Sequence, residues 1–476
     1  MTARTTRRRS NVIFRSLMND LKRDDAAAAA DLGVSLSSLR EVLSGAAEAS
    51  PEMLRRAAEV WPVSERDFLP LREDAEDGVV VMRDRDAASS ARIIQRRGRD
   101  YYEYFDSAMS RLSRIRPEKI RMMVHVEDSD AENPAVCWNK GHFLYQFTYF
   151  VGDINYYYEW KGRRYCAEMR TGDSVYGLPY APHSFTTRDP ACTAYILAIT
   201  FGGRLAGEPQ LELNALGPEQ AARFSLHEAA SDQAALLRAH AESGSYTVEQ
   251  VLSASGLARE RMRALWDGSA VATDVELRQL SRALETPVRQ LMPEPDDTSC
   301  GVRFVRREQV VSWLYPDAAA PSYRIHRLAH SITAAFSRGV ELEVLPGDRA
   351  AARLEHGMHE FAYNHGSVPI VVGWSTRDGD HATELAPGDS MYCRPFVPHW
   401  FRHARTTGAG QQTKILLLRA AGTVWGDAWI EARRLGERAL RRVADDDEPW
   451  YDATGGGPRE DAHAQSDAGT EGRTAD

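Results

Sequence analysis

The sequence predicts an α+β protein, mainly β, arranged as a tandem repeat of a small helix-turn-helix-like module followed by a jelly-roll β-barrel. Three observations carry this prediction. The string Gly172-Asp-Ser-Val-Tyr-Gly-Leu-Pro-Tyr-Ala-Pro-His183-Ser-Phe returns as Gly388-Asp-Ser-Met-Tyr-Cys-Arg-Pro-Phe-Val-Pro-His399-Trp-Phe, and such a long-period duplication marks a repeated folding unit. Upstream, Leu32-Gly-Val-Ser-Leu-Ser-Ser-Leu-Arg-Glu-Val-Leu-Ser-Gly45 has its counterpart in Ser255-Gly-Leu-Ala-Arg-Glu-Arg-Met-Arg-Ala-Leu-Trp-Asp-Gly268. Between these strings lie alternating aromatic and branched runs such as Phe143-Leu-Tyr-Gln-Phe-Thr-Tyr-Phe150, broken by Gly-Asp and Pro, which read as short antiparallel strands.

In chain order, residues 1–75 form the first helical module, with apolar spacings of three and four around a turn glycine. Residues 76–210 form the first barrel, 211–295 the second helical module, 296–430 the second barrel, and 431–476 a C-terminal helix with a tail. Beyond about Trp450 almost no apolar residue remains to offset the entropy of ordering, so the tail is expected to be disordered.

Composition narrows the function. The 476 residues are 43% hydrophobic and 27% charged, the balance of a chain that buries a sizeable core. A net charge of −9 works against a long phosphate backbone as partner, so no nucleic acid is expected. The longest apolar runs, such as Lys414-Ile-Leu-Leu-Leu418, fall short of the ~18 to 20 residues of a membrane span. The arginine-rich start is followed by no apolar stretch of the signal-peptide kind, and a cytoplasmic location is expected. Five cysteines, widely spread and without a CxxC pair, read as free thiols.

The chemistry concentrates in the first barrel. His142 and Gln146 stand four apart on a predicted strand and so project from one face, while His183 follows a Gly-Asp and a Pro-rich turn. The arrangement resembles the cupin metal site, with one His of the usual pair kept and Gln where Glu is usual. Two imidazoles and one oxygen suit Fe(II) and leave positions open for substrate and dioxygen. A neutral Gln oxygen leaves the metal its full positive charge, which favours an anionic, chelating substrate. The plainer reading is two core histidines and a polar Gln on a solvated face. In the second barrel His399 matches His183. Aligning Glu360-Phe-Ala-Tyr-Asn364 on His142-Phe-Leu-Tyr-Gln146 leaves no second His, so that site is expected to be degenerate unless a shifted register recruits His359 or His365. Cys393 falls where Gly177 stands and reads as a buried thiol.

Many transcription regulators join a helix-turn-helix module to one cupin, which keeps a DNA-binding reading open. The candidate recognition segment 35–44 holds one Arg and one Glu, and Arg259, Arg261 and Arg263 are balanced by Glu260 and Asp267. That is short of the contact cluster a reading helix needs, so the modules read as scaffold or lid.

Further strings, Ile94-Gln-Arg-Arg-Gly98 followed by Tyr101-Tyr-Glu-Tyr104, Asn139-Lys-Gly-His142, Gly152-Asp-Ile-Asn155 and Pro182-His-Ser184, carry a specific resemblance. Over nearly its whole length the chain resembles the iron-dependent phosphonate enzymes, a group with 2-hydroxyethylphosphonate dioxygenase and methylphosphonate synthase branches and a single-repeat epoxidase relative. The resemblance implies metal ligands His142, Gln146 and His183, a phosphonate held by Arg96, Tyr104 and Asn139, a catalytic Lys22 reaching over the site, and Ser184 as an added hydroxyl. Each residue type suits its role. An Arg fork pairs with two phosphonate oxygens, Tyr and Asn donate to the remaining lone pairs, and Lys adds a mobile charge. Taken without the resemblance, Arg96 and Lys22 are surface charges, Tyr104 is a core aromatic and Asn139 a turn former.

The dioxygenase branch takes its third ligand from a Glu at the position of Gly177, which has no side chain to offer, whereas the synthase branch carries a Gln at the position of Gln146. The resemblance therefore implies an Fe(II)- and dioxygen-dependent synthase that cleaves 2-hydroxyethylphosphonate to methylphosphonate and carbon dioxide without 2-oxoglutarate. The alternative is dioxygenase chemistry giving hydroxymethylphosphonate and formate. A homo-oligomer is expected. A phosphonate-sensing regulator and a non-catalytic binding barrel are the rivals from other classes.

Overall fold

The computed structural model describes residues 3–444 apart from 70, 72, 114, 192, 226–230, 335, 347–350 and 405–412; the expected disordered tail lies outside the described residues. It is a mixed helix and sheet protein whose strands form antiparallel sheets. The chain divides into two compact units, 1–76 with 426–476, and 77–425. The second helical module therefore shares a unit with both barrels, and the C-terminal helix, Asp427–Ala444 with a break at Gly436, starts earlier than expected.

In the helical unit, Ala3–Asp20, Asp25–Leu32, Leu36–Leu43 and Pro51–Val60 enclose Phe14, Leu39, Trp61 and Phe68. Gly33, at φ 69°, ends the second of these helices, and the Ser35 side chain starts the next by accepting from Ser38 N at 3.1 Å. The expected turn glycine is thus a left-handed cap, and the serine after it opens the next helix. The second helical module repeats the plan, Val248–Ser255 and Arg259–Asp267 meeting at Gly256 (φ 68°). Two of its arginines are engaged locally: Arg259 Nη1 lies 2.7 Å from Glu249 and Arg261 Nε 2.6 Å from Glu276, while in the first module Arg40 lies 3.0 Å from Asp25.

Each half of the barrel unit pairs a seven-stranded sheet with a three-stranded one. The first large sheet runs, in spatial order, Val302–Val305, Ser174–Gly177, Tyr145–Val151, Tyr195–Phe201, Arg116–Met122, Arg99–Asp106 and Arg92–Arg96. The second runs Val79–Met82, Ser390–Cys393, His359–Asn364, Lys414–Ala420, Ser337–Val344, Tyr323–Arg327 and Ser312–Tyr315. Strand alternation sorts the side chains. Along 145–151, Phe147 and Tyr149 join a core shared by both large sheets with Phe361, Tyr363, Leu416 and Leu418, while Phe150 joins the interior of the first barrel. Sheets buried on both faces explain the unbroken apolar run at 415–418.

Two strands pair with the opposite half from their place in the sequence. Val79–Met82 precedes the first barrel yet pairs with Ser390–Cys393 of the second, and Val302–Val305 precedes the second yet pairs with Ser174–Gly177 of the first. Boundaries at 76 and 296 therefore do not coincide with the sheets. The repeated Gly-Asp locks this exchange. Buried Asp173 accepts from Arg306 Nη1 and Arg307 N, both at 2.9 Å, and Asp389 accepts from Arg83 Nη1 and Asp84 N, both at 2.8 Å. Gly172 (φ 94°) and Gly388 (φ 91°) allow the approach, since a Cβ would meet Arg307 Cδ at 2.8 Å and Asp84 Cγ at 2.7 Å.

Candidate metal centre and anion pocket

The first barrel contains a cavity of roughly 300 Å³ lined by Arg96, Tyr104, Asn139, His142, Gln146 and His183. Gln146 points inward because it shares the alternating face of Phe150; His142, expected on the same strand, instead precedes it and still meets Gln146. Nδ1 of His142 faces the Leu144 carbonyl at 2.9 Å, and Nδ1 of His183 faces the Ala181 carbonyl at 2.9 Å. Each carbonyl accepts the ring N–H, which leaves both Nε2 lone pairs in the cavity. Gln146 Nε2 donates to Thr148 Oγ1 at 2.9 Å, turning Oε1 to within 3.0 Å of His142 Nε2. Two acceptor atoms facing each other with no proton between them are a place for a cation. The rings of His142 and His183 stand 5.2 Å apart and perpendicular, at 86°. Burial pushes His183 down to about 4, reinforced by the nearby His142 and Arg96, so the imidazole is neutral near pH 7 and free to ligate. The residues present thus fit a divalent metal with two imidazoles and one amide oxygen.

Around this point the cavity is shaped for an anion. Arg96 stacks over the Tyr101 and Tyr102 rings at 5.2 and 4.9 Å and donates to the Cys137 carbonyl at 2.5 Å, so the guanidinium is held in place. Asn139 Oδ1 accepts from Gly141 N (3.0 Å) and His183 N (2.8 Å), which directs Nδ2 toward His183 Nε2 at 3.0 Å. Burial, with the charge of Glu118, raises the Tyr104 hydroxyl above its ordinary range and keeps it a donor.

One expected residue stands elsewhere within the barrel unit, and another belongs to the helical unit. Ser184 is not in the cavity lining: it follows inward-pointing His183 on a strand, faces the other way, and bonds Tyr101 Oη (2.9 Å), Tyr102 Oη (3.2 Å) and the Cys137 carbonyl (3.0 Å). It braces the tyrosines under Arg96. Lys22 belongs to the helical unit, where it follows the first helix at φ 53° and Nζ donates to the Asp20 carbonyl at 2.8 Å. The lining also includes Arg116, Glu118 and Thr200, which sequence reading missed because nothing local marks them; they arrive on neighbouring strands.

The second barrel corrects the expected alignment. Gln146 pairs across to Gly177 and Thr200, and Glu360 pairs across to Cys393 and Arg419, so Glu360 takes the place of Gln146, not of His142. The missing histidine is His356, four residues before Glu360 as His142 is before Gln146. Its Nε2 lies 3.1 Å from Glu360 Oε2, and His399 Nε2 lies 2.8 Å from Oε1. His359 instead bonds Tyr392 Oη at 2.7 Å, and His365 lies 3.4 Å from Glu341. Cys393 is a buried thiol, as expected, and the other described cysteines are free.

An antiparallel barrel that turns two imidazoles and an amide oxygen toward one point, beside a braced arginine, marks the chain as a metal-dependent enzyme of small anionic substrates. No protein-family model matches it. Methylphosphonate synthase of Nitrosopumilus maritimus (strain SCM1) is 36% identical over 453 residues, covering 94% of this chain and 96% of its own. The structure of Streptomyces albus 2-hydroxyethylphosphonate dioxygenase with substrate 2-hydroxyethylphosphonate and Fe(II) bound is 39% identical, covers 94% of this chain and 100% of its own, and superposes with a TM-score of 0.88. A second dioxygenase structure, 21% identical over 91% of this chain and 99% of its own with a TM-score of 0.71, shares the fold. The chain belongs to the family of methylphosphonate synthase and 2-hydroxyethylphosphonate dioxygenase. Among the described residues, no helix is long and apolar enough to cross a membrane.

Proposed function

We propose that this chain is an Fe(II)- and dioxygen-dependent enzyme that cleaves the carbon-carbon bond of 2-hydroxyethylphosphonate, releasing methylphosphonate and carbon dioxide. The observation that carries the reading is the meeting of His142, Gln146 and His183 with Arg96, Tyr104 and Asn139 in one cavity, in a chain 36% identical to a methylphosphonate synthase. The cavity sits at the small end of ligand pockets, which suits a substrate of few heavy atoms. His142, Gln146 and His183 would hold the iron, which when bound supplies dioxygen activation and an anchor for the substrate hydroxyl. Arg96 then pairs with the phosphonate through the N–H groups not given to Cys137. Tyr104 donates from its protonated hydroxyl. Asn139 Nδ2 turns from the His183 lone pair to a substrate oxygen once the imidazole is engaged. The locally paired arginines of the helical modules support scaffold over DNA contact.

Anaerobic loading with Fe(II), addition of 2-hydroxyethylphosphonate and air, and phosphorus NMR of the mixture test the reading; a methylphosphonate resonance is expected. The 39% identity to a dioxygenase favours one second reading, in which hydroxymethylphosphonate and formate appear instead. Unchanged substrate overturns both. Arg96→Lys is expected to lower kcat/KM by roughly 10- to 100-fold, mainly through KM, because a point charge cannot replace the fork. Tyr104→Phe removes one donor and is expected to cost about 10-fold. Steady-state kinetics that leave KM unmoved in both variants would remove these residues from substrate binding.

A further inference from the structure

We propose that the second barrel holds a complete His-Glu-His metal site, His356, Glu360 and His399, which the guanidinium of Arg419 keeps closed, and that removing Arg419 opens it to one divalent cation. The ligand geometry copies the first barrel. Nδ1 of His356 faces the Met358 carbonyl at 3.2 Å and Nδ1 of His399 faces the Val397 carbonyl at 2.9 Å, so both Nε2 atoms turn inward. The rings stand 6.0 Å apart at 85°, close to the arrangement of His142 and His183. Three candidate ligand atoms lie within 4.8 Å of one another. Glu360 and His399 are 0% and 1% exposed, and Glu360 Oε1 faces His399 Nε2 at 2.8 Å. Two imidazoles and a carboxylate form a set that takes Fe(II), Co(II) or Zn(II).

The difference lies on the neighbouring strand. At the position where Thr200 lines the first cavity, Arg419 places Nε 2.7 Å from Glu360 Oε2. Strand alternation fixes that direction: Leu416 and Leu418 face the shared core, Ile415 and Leu417 face the barrel interior, and Arg419 continues the interior row. The guanidinium supplies the counter-charge that a metal ion supplies elsewhere. A divalent ion bound to Glu360 would sit against a fixed positive charge in a poorly solvated interior, and repulsion there is strong. The second barrel has kept its ligands and replaced its cation with a side chain.

Cobalt content tests this. The full-length wild-type chain, Arg419→Thr and the double variant Arg419→Thr/His356→Ala are loaded with Co(II) without air, desalted and analysed for metal per chain. Arg419→Thr is expected to retain one equivalent more than wild type, and the double variant to return to the wild-type value. Because the readout is a difference between chains with the same first barrel, it does not depend on the metal or reaction proposed there. An Arg419→Thr chain with native circular dichroism and no added equivalent overturns the proposal. His356→Ala alone is expected to leave the wild-type content unchanged, and loss of one equivalent there overturns the closure, since the native site would already be filled. Arg419→Gln, neutral and of similar reach, is expected to show the same added equivalent if the Thr variant does not fold.

Discussion

Replacing Gln146 with Ala is expected to weaken Fe(II) binding by more than ~100-fold, beyond what loss of an outer hydrogen-bond partner of a ligand costs, and to abolish turnover. Adding Gly177→Glu to that variant is expected to bring both back in large part. The reason is the strand register. Gln146 and Gly177 are directly paired neighbours, so their side chains leave the sheet on the same face and reach the same volume. A Cβ on Gly177 would meet nothing nearer than 3.9 Å, so a side chain can start there without strain. A ligand can thus be supplied from either of two strands without moving the histidines. Anaerobic Fe(II) titration of Gln146→Ala and of the double variant checks this; wild-type affinity in the single variant would remove Gln146 from the ligand set.

Asp173→Ala is expected to destabilise the barrel unit by about 3 kcal/mol, the lower end of the loss on breaking a buried ion pair, because Arg306 keeps some solvent. The carboxylate also accepts from Arg170 N at 3.0 Å and Arg307 N at 2.9 Å, so its removal strands two backbone donors with the guanidinium. Asp389→Ala, at the matching position with Arg83, is expected to cost a similar amount. Urea midpoints followed by tryptophan fluorescence measure both, and unshifted midpoints would show that the exchanged strands are held by their backbone ladders alone.

The duplication, the helical modules and the gathering of His142, Gln146 and His183 in one cavity were legible in sequence because each is marked locally, by a repeated string, a turn glycine, or a spacing of four. Strand exchange was not, since strands of four residues do not state their partner. The second-barrel register failed for a related reason. Glu360-Phe-Ala-Tyr resembles His142-Phe-Leu-Tyr in its aromatics, and that likeness outweighed the signal that was present, a His four residues before an acidic or amide side chain in both halves. Ser184 was misplaced because adjacency to His183 in sequence means the opposite face on a strand. Arg116, Glu118 and Thr200 reach the cavity only through pairing across strands distant in sequence.

The exchange of Val79–Met82 and Val302–Val305 also bears on how the molecule comes into being. A single-repeat chain built this way would have to lend its leading strand to a second copy and borrow one in return, the geometry of a domain-swapped homodimer. Here both halves lie in one polypeptide, so the lending is intramolecular. During synthesis, the barrel around His142 and His183 has an open edge until residue 305 has emerged, so the nascent N-terminal half carries an unpaired strand waiting for sequence not yet made. Two halves within one chain need not be identical, and Thr200 on one side stands at the position of Arg419 on the other.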